Sequence, residues 1–190
     1  MTTVSDIFAF ACQNADYWEE LLSGRKLPED ELTAEEVRAI HAAREHIAHS
    51  TEDLLRECAS ELGKLKPRGI QLKAKLKSGA ARKNRMIWFN PTSEADKSVK
   101  HAGFWIASDS DDEATQIGKK IKLFSWVTLQ KRSRPEAVDQ ALATAGYEIN
   151  LQGDVYGSGL ELTEGDNFQD VANRAALELS KMVTLIVSAK

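Results

Sequence analysis

The residues best suited to acid–base or metal chemistry lie in a helix that the sequence predicts from Thr33 to Gly63. His41, Glu45 and His49 are spaced four residues apart, so they share one side of that helix. Two imidazoles and a carboxylate in a column can bind a metal ion. However, the histidine and glutamate come in the wrong order for the H-E-x-x-H motif of zinc proteases, and a catalytic site needs a further protein ligand. A solvated polar face explains the column better, and we predict no metal site and no cofactor.

The same helix contains a second candidate for catalysis, in which an arginine is followed five residues later by a histidine. The segment from Arg44 to His49 resembles the R-x4-H motif of HEPN ribonucleases, and the resemblance implies that Arg44 and His49 would serve in RNA cleavage. It covers these six residues alone. HEPN domains are all-helical bundles, whereas most of this chain is predicted to be sheet.

Acidic residues cluster in the segment 109–113, directly after a predicted strand. Carboxylates such as those of Asp109, Asp111 and Glu113 can hold Mg²⁺ or Ca²⁺, but Ala114 stands where an EF-hand loop requires glycine. The cluster is also typical of a helix N-terminus, where acidic side chains interact favourably with the helix dipole. We favour this second interpretation, with a helix over 112–117.

Glycines concentrate between residues 153 and 159. This run lies between two predicted strands rather than before a phosphate-binding helix, so it matches neither a P-loop nor a dinucleotide-binding fingerprint. We therefore predict that 147–151 and 155–163 form a further strand or a hairpin around Gly157-Ser158-Gly159, with a flexible hairpin turn as the default.

The distribution of charge along the chain is its most informative feature. The net charge is −9 over residues 1–63, +11 over residues 64–135 and −6 over residues 136–190. A basic strand face and loop can track a phosphate backbone, and Trp88, Trp105 and Trp126 would be available to stack on bases. Lysines on an edge strand also block edge-to-edge pairing, and the acidic segments could neutralise the patch within the chain. The predicted binding residues are Lys73, Lys75, Lys77, Arg82, Lys83 and Arg85.

Hydrophobic periodicity predicts which elements position these residues. A helix over 6–22 and the helix over 33–63, which begins with a capping box at Thr33, would form an antiparallel hairpin. Period-two patterns then predict strands, and helices follow over 134–145 and from Phe168 to Ser188, the latter capped by Asn167. The predicted strands cover 70–76, 85–90, 102–108, 120–130, 147–151 and 155–163.

These elements predict an α+β fold: an N-terminal helical hairpin, then an antiparallel sheet of about five or six strands covered by a long C-terminal helix. The division would fall between a hairpin at 1–63 and a sheet domain at 64–190, unless the two form one continuous domain. The 42 % hydrophobic and 28 % charged composition is that of a globular protein. The N-terminus lacks the pattern of a signal peptide and no apolar run is long enough to span a bilayer, so we expect a cytoplasmic protein without membrane association.

Cys12 and Cys58 lie in predicted helices outside any C-x-x-C pair, and we interpret them as buried free thiols rather than a disulfide. Taken together, the residues favour a non-catalytic binding or regulatory protein that engages a polyanionic or acidic partner, either nucleic acid or protein. One alternative is a hydrolase, most plausibly a nuclease, that uses the Arg44–His49 region or the cluster at 109–113. Another is a protein-directed inhibitor or immunity-type factor.

Overall fold

The structure, a computed structural model, describes residues 32–73, 75–76, 86–95, 98–109, 120–130, 136–149, 154–163 and 165–189. Over these ranges the chain has an α+β fold with three helices and an antiparallel sheet. The helices are α1 (Ala34–Leu65), α2 (Glu136–Thr144) and α3 (Phe168–Ser188). The strands are β1 (Lys75–Leu76), β2 (Met86–Phe89), β3 (Val99–Asp109), β4 (Lys120–Leu129), β5 (Glu148–Ile149) and β6 (Val155–Glu161).

Helix α1 begins as the sequence predicts and ends two residues later than predicted. The Thr33 hydroxyl accepts from the Glu36 backbone N–H, and the Glu36 carboxylate accepts from the Thr33 N–H at 2.7 Å, which completes a capping box. Gly63 lies inside the helix rather than at its end. The helix stops because Lys66 adopts a left-handed conformation (φ 48°) and Pro67 follows, which cannot continue the backbone hydrogen bonds. The first helix of the predicted hairpin lies outside the described residues.

The sheet runs in the order β1-β2-β3-β4-β6-β5, with antiparallel pairing throughout. Four strands, β2, β3, β4 and β6, have four residues or more, while β1 and β5 are two-residue segments paired at the two edges. The described sheet therefore has fewer full strands than the five or six predicted.

The prediction of a strand over 70–76 is wrong for most of that segment. Ile70 forms an isolated bridge with Pro91, and regular strand pairing is present at Lys75–Leu76. Gly69 turns the chain with φ 96°, and Pro91 has no N–H to extend the ladder. A local alternation of apolar and basic residues could not reveal these two interruptions.

One face of the sheet carries the core and the helices. Along β4 the buried residues alternate as predicted, with Ile121, Leu123, Val127 and Leu129 on the inner side. Helix α3 crosses this side, and the buried Ser125 hydroxyl donates to the Ala175 carbonyl at 2.8 Å. The C-terminal half of α1 contributes to the same core as the sheet and α3. We call this side of the sheet the helical face.

Helix α3 has the predicted boundaries and cap. The Asn167 side chain accepts from the backbone N–H groups of Gln169 and Asp170, and the apolar stripe of the helix is buried. Helix α2 is described from Glu136 to Thr144, within the predicted 134–145, and is followed by a turn at Gly146 (φ 83°). It also packs on the helical face, where the Tyr156 hydroxyl donates to Asp139 at 2.9 Å. In the part of the chain described, no helix combines the length and apolar character required to cross a membrane.

Candidate binding surface

The second face of the sheet, which the described helices do not cover, carries a group of aromatic residues and glycines. We call it the open face. Its first row across the strands is Trp88, Gly103, Trp126 and Gly157, and its second row is Met86, Trp105, Phe124 and Gly159. Residues paired directly across an antiparallel sheet project from the same face, so the register alone places these eight residues side by side. Aromatic residues and glycines thus alternate in the first row, and the second row has Trp105 and Phe124 side by side before Gly159.

Two glycines of the open face lie where neighbouring atoms approach closely. A Cβ atom on Gly103 would lie 2.2 Å from the Ile87 carbonyl oxygen and 2.9 Å from Cα of Trp88. A Cβ atom on Gly159 would lie 2.9 Å from Cε1 of Phe124, so the phenyl ring lies over this glycine. Gly157-Ser158-Gly159 is therefore part of strand β6, paired with β4, and the predicted flexible turn at this position is wrong.

The aromatic side chains of the open face are partly accessible. Trp105 is 41 % exposed, and its ring centroid lies 5.5 Å from that of Phe124 with the planes tilted by 31°. Trp88, Phe124 and Trp126 are half-buried. The indole Nε1 of Trp126 is buried and has no hydrogen-bond partner among the described residues. An exposed pair of adjacent rings offers a π surface to a planar ligand.

Basic residues border this surface. Lys120 and Lys122 project from β4 on the open face, and Nζ of Lys120 lies 3.1 Å from Glu161 Oε2 on β6. At the β1 edge of the sheet, Lys73 is exposed and Lys75 belongs to β1, where it pairs in register with Trp88. Of the other predicted binding residues, Lys77, Arg82, Lys83 and Arg85 lie outside the described residues, in the segment that connects β1 to β2. Basic residues therefore lie alongside the aromatic rows on β4 and at the β1 edge of the sheet.

The catalytic candidates of α1 lie away from this surface. Arg44 is half-buried, while His41, Glu45, His46 and His49 are exposed. Nδ1 of His49 donates to the backbone carbonyl of Glu45 at 2.9 Å, so one ring nitrogen is engaged within the helix. Arg44 and His49 thus sit on one helix, as the motif requires, within a fold that is not the all-helical bundle of HEPN domains.

The acidic candidates are described only at their start. Asp109 ends β3, whereas Asp111 and Glu113 lie outside the described residues. Within the ranges that the structure covers, no cluster of three or more histidine, cysteine, aspartate or glutamate residues is arranged to hold a metal ion. Cys58 is a buried free thiol, and burial raises its pKa well above the usual range, which disfavours the nucleophilic thiolate.

A shallow acidic groove of about 550 Å³ lies between α1 and the start of α3, where Asp53, Glu57 and Asp166 are among its lining residues. Next to it, the Glu61 carboxylate accepts from Lys64 and from Gln169, and so joins α1 to α3. These hydrogen bonds, chiefly that of Lys64, hold the pKa of Glu61 below its usual value. The groove borders a structural contact between helices.

The sequence predicts the three tryptophans of the open face as residues that stack on bases, but it assigns no role to Phe124 or to the glycines. A signal was present: Phe124 and Trp126 alternate with the buried residues of β4, which places both on its outer side. The positions of Gly103 and Gly159 opposite these rings depend on strand register, which a single sequence does not reveal. No protein-family model matches the chain, and no similar curated protein or solved structure was found.

Proposed function

We propose that the protein is a non-catalytic binding protein that engages a polyanionic partner through the basic region of its sheet. The observation that carries this proposal is that basic residues lie beside the open face at two places, Lys120 and Lys122 on β4 and the exposed Lys73 next to β1. A broad surface of this kind suits an extended partner better than a small substrate, which proteins usually bind in concave pockets.

The charge of the chain supports a polyanionic partner over a basic or neutral one. The net charge is positive only over residues 64–135, which supply β1 to β4, and it is +11 for that segment. The segment 136–190, which supplies α2, β5, β6 and α3, has a net charge of −6. A polyanion would thus be attracted to β1 to β4 and repelled from the rest of the chain.

Binding to labelled single-stranded RNA and duplex DNA over a salt series tests the proposal. We expect affinity to fall with salt, with a log–log slope of roughly 0.7–0.9 per phosphate contacted. The triple variant Lys73→Glu, Lys75→Glu and Lys77→Glu should bind more weakly and show a smaller slope. A matched control, Arg38→Glu, Arg174→Glu and Lys181→Glu, makes the same change in net charge on the helices and should retain most of the affinity.

Equal weakening by both triple variants would show that net charge alone is responsible and would contradict a dedicated surface. No binding at low salt would overturn the proposal.

The nuclease alternative has a separate test, because cleavage that persists after alanine substitution of Arg44, His49, Asp109, Asp111 and Glu113 would exclude both predicted catalytic sites.

A further inference from the structure

We infer that the open face is a stacking surface for the unpaired bases of single-stranded nucleic acid. This inference rests on the proposed function and deepens it, because it names the class of polyanion and the part of the molecule that distinguishes it. The proposed function requires only positive charge, whereas the inference requires the aromatic rings.

The arrangement of the rings is the first support. Trp105 exposes 41 % of its surface, and the neighbouring ring of Phe124 continues the aromatic surface toward β6 at a centroid distance of 5.5 Å. Phe124 lies over Gly159, so no side chain rises beyond it on β6 at that position. In the adjacent row, Gly103 leaves the space between Trp88 and Trp126 without a side chain. Aromatic side chains on a sheet surface bind nucleotide bases by stacking, with little dependence on sequence.

Charge complementarity is the second support. Lys122 precedes Phe124 by two residues on the same side of β4, so a cationic group flanks the aromatic row where a phosphate linked to a stacked base would lie. Lys73, which is exposed just before the β1 strand that pairs with Trp88, adds a basic residue near the β1 edge of the surface. A neutral apolar partner would gain nothing from these charges, and a basic protein would be repelled by them.

Single strands are favoured over duplexes for a geometric reason. Bases in a duplex are already stacked and paired, so they present their phosphates but not their π faces to a protein surface. Duplex DNA and base-free polyanions can use the lysines of the surface, but only a strand with unpaired bases can use Trp105. The contributions of charge and of base stacking to binding can therefore be separated experimentally.

The test compares Trp105→Ala with the wild-type full-length chain, using a fluorescent 15-nucleotide oligo(dT), a duplex of the same length and inorganic polyphosphate as a competitor. We expect Trp105→Ala to weaken oligo(dT) binding by roughly five- to a hundred-fold, the effect of losing one stacked base. Affinity for duplex and polyphosphate should change little, and the salt dependence should be retained. Leu177→Ala is the matched control, since Leu177 on α3 is 39 % exposed and lies on the opposite side of the molecule.

Two further variants show whether the π face of the side chain matters. Trp105→Phe retains an aromatic ring and should recover most of the oligo(dT) affinity, whereas Trp105→Leu retains apolar bulk and should not. These two variants also decide the question if Trp105→Ala folds poorly. Recovery by leucine equal to that by phenylalanine would overturn the stacking inference.

The failures of the two proposals are distinguishable. Unchanged oligo(dT) affinity in Trp105→Ala, combined with weakening by the lysine-to-glutamate variant, would overturn stacking and leave polyanion binding intact. An equal loss toward oligo(dT), duplex and polyphosphate, with the variant still folded under the assay conditions, would also overturn stacking. Failure of the wild-type protein to bind any of the three probes at low salt would overturn both, and protein partners of the open face would then be examined.

Discussion

The two faces of the sheet are built from the same strands but from different kinds of residue. On the helical face, Phe104, Ile106 and Leu123 are fully buried beneath the helices, and their side chains are those of an ordinary core. On the open face the intervening positions hold tryptophan, phenylalanine and glycine, with Trp105 41 % exposed. A half-solvated sheet normally alternates apolar with polar residues, so the open face carries more aromatic surface than the fold requires.

The difference between the two faces matters because the aromatic residues of the open face are contiguous. A single exposed tryptophan is common in soluble proteins and needs no explanation. An aromatic surface that extends over neighbouring strands is less common, and such patches usually mark interaction sites. The helical face therefore accounts for stability, and the open face is the part of the sheet that we propose for recognition.

The largest contrast should come from two consecutive residues of β3. Phe104 is buried and meets Phe89 edge to face, with a centroid distance of 6.1 Å, whereas Trp105 projects from the other side. We expect Phe104→Ala to lower the free energy of unfolding by about 3–5 kcal/mol, because it leaves a cavity. Trp105→Ala should lower it by about 1 kcal/mol, through the lost contact with Phe124. Urea denaturation of both variants measures the difference, and similar losses would contradict the distinction between the faces.

The second prediction tests why a glycine is found at position 103 on the open face. Gly103→Ala would place a Cβ atom 2.2 Å from the Ile87 carbonyl oxygen, so β2 and β3 would have to move apart. We expect a loss of about 1–3 kcal/mol in the free energy of unfolding, the usual range for overpacking. Gly165→Ala is the control, because no atom lies within 4 Å of its added Cβ. If thermal unfolding shows the same stability for both variants, close strand approach is not the reason for Gly103.

The elements that were predicted correctly depend on local chemistry. The capping box at Thr33, the buried alternation of β4 and the boundaries of α3 from Asn167 onward follow from neighbouring residues, and the structure confirms them. Periodicity identifies a buried stripe because the inner positions recur every two or every 3.6 residues.

The errors arise where distant segments decide the outcome. The segment 70–76 alternates like a strand but meets Pro91, and Gly157-Ser158-Gly159 has turn-like composition but pairs with β4. Likewise, each tryptophan of the candidate surface is visible in the sequence, whereas their arrangement around Gly103 and Gly159 depends on the pairing of strands far apart in the chain. The strand register brings these tryptophans and glycines together, and the composition of the chain does not reveal that arrangement.

A smaller effect compares two hydroxyls of β4. Ser125 on the helical face is buried and donates to the Ala175 carbonyl at 2.8 Å, whereas Thr128 is half-buried on the open face. We expect Ser125→Ala to reduce stability by about 1 kcal/mol, the typical net contribution of one hydrogen bond. Thr128→Ala should change it by about 0.5 kcal/mol or less, as for most surface substitutions. A larger loss at Thr128 in urea denaturation would indicate that the open face is also packed as a core.

The last prediction concerns the edge of the helical face at alkaline pH. The Tyr147 hydroxyl, just before β5, donates to Glu178 on α3 at 3.1 Å. Burial, together with the negative charge of Glu178, raises the pKa of Tyr147 to about 12. Because the unfolded chain ionises near the ordinary value of about 10, the folded state holds the proton more tightly between these values, and stability falls as the pH rises through them.

Tyr147→Phe removes this titration together with the hydrogen bond. Wild type should therefore be the more stable protein near neutral pH, and its advantage over the variant should shrink between pH 10 and 12. Urea denaturation of both proteins at pH 8 and pH 11 measures the change in that advantage, and using the difference cancels the titration of the other tyrosines and lysines. A constant difference would mean that the hydroxyl is solvated rather than held against α3. The packing of helices on this face would then end before β5, and the contrast between the faces would be confined to the four central strands.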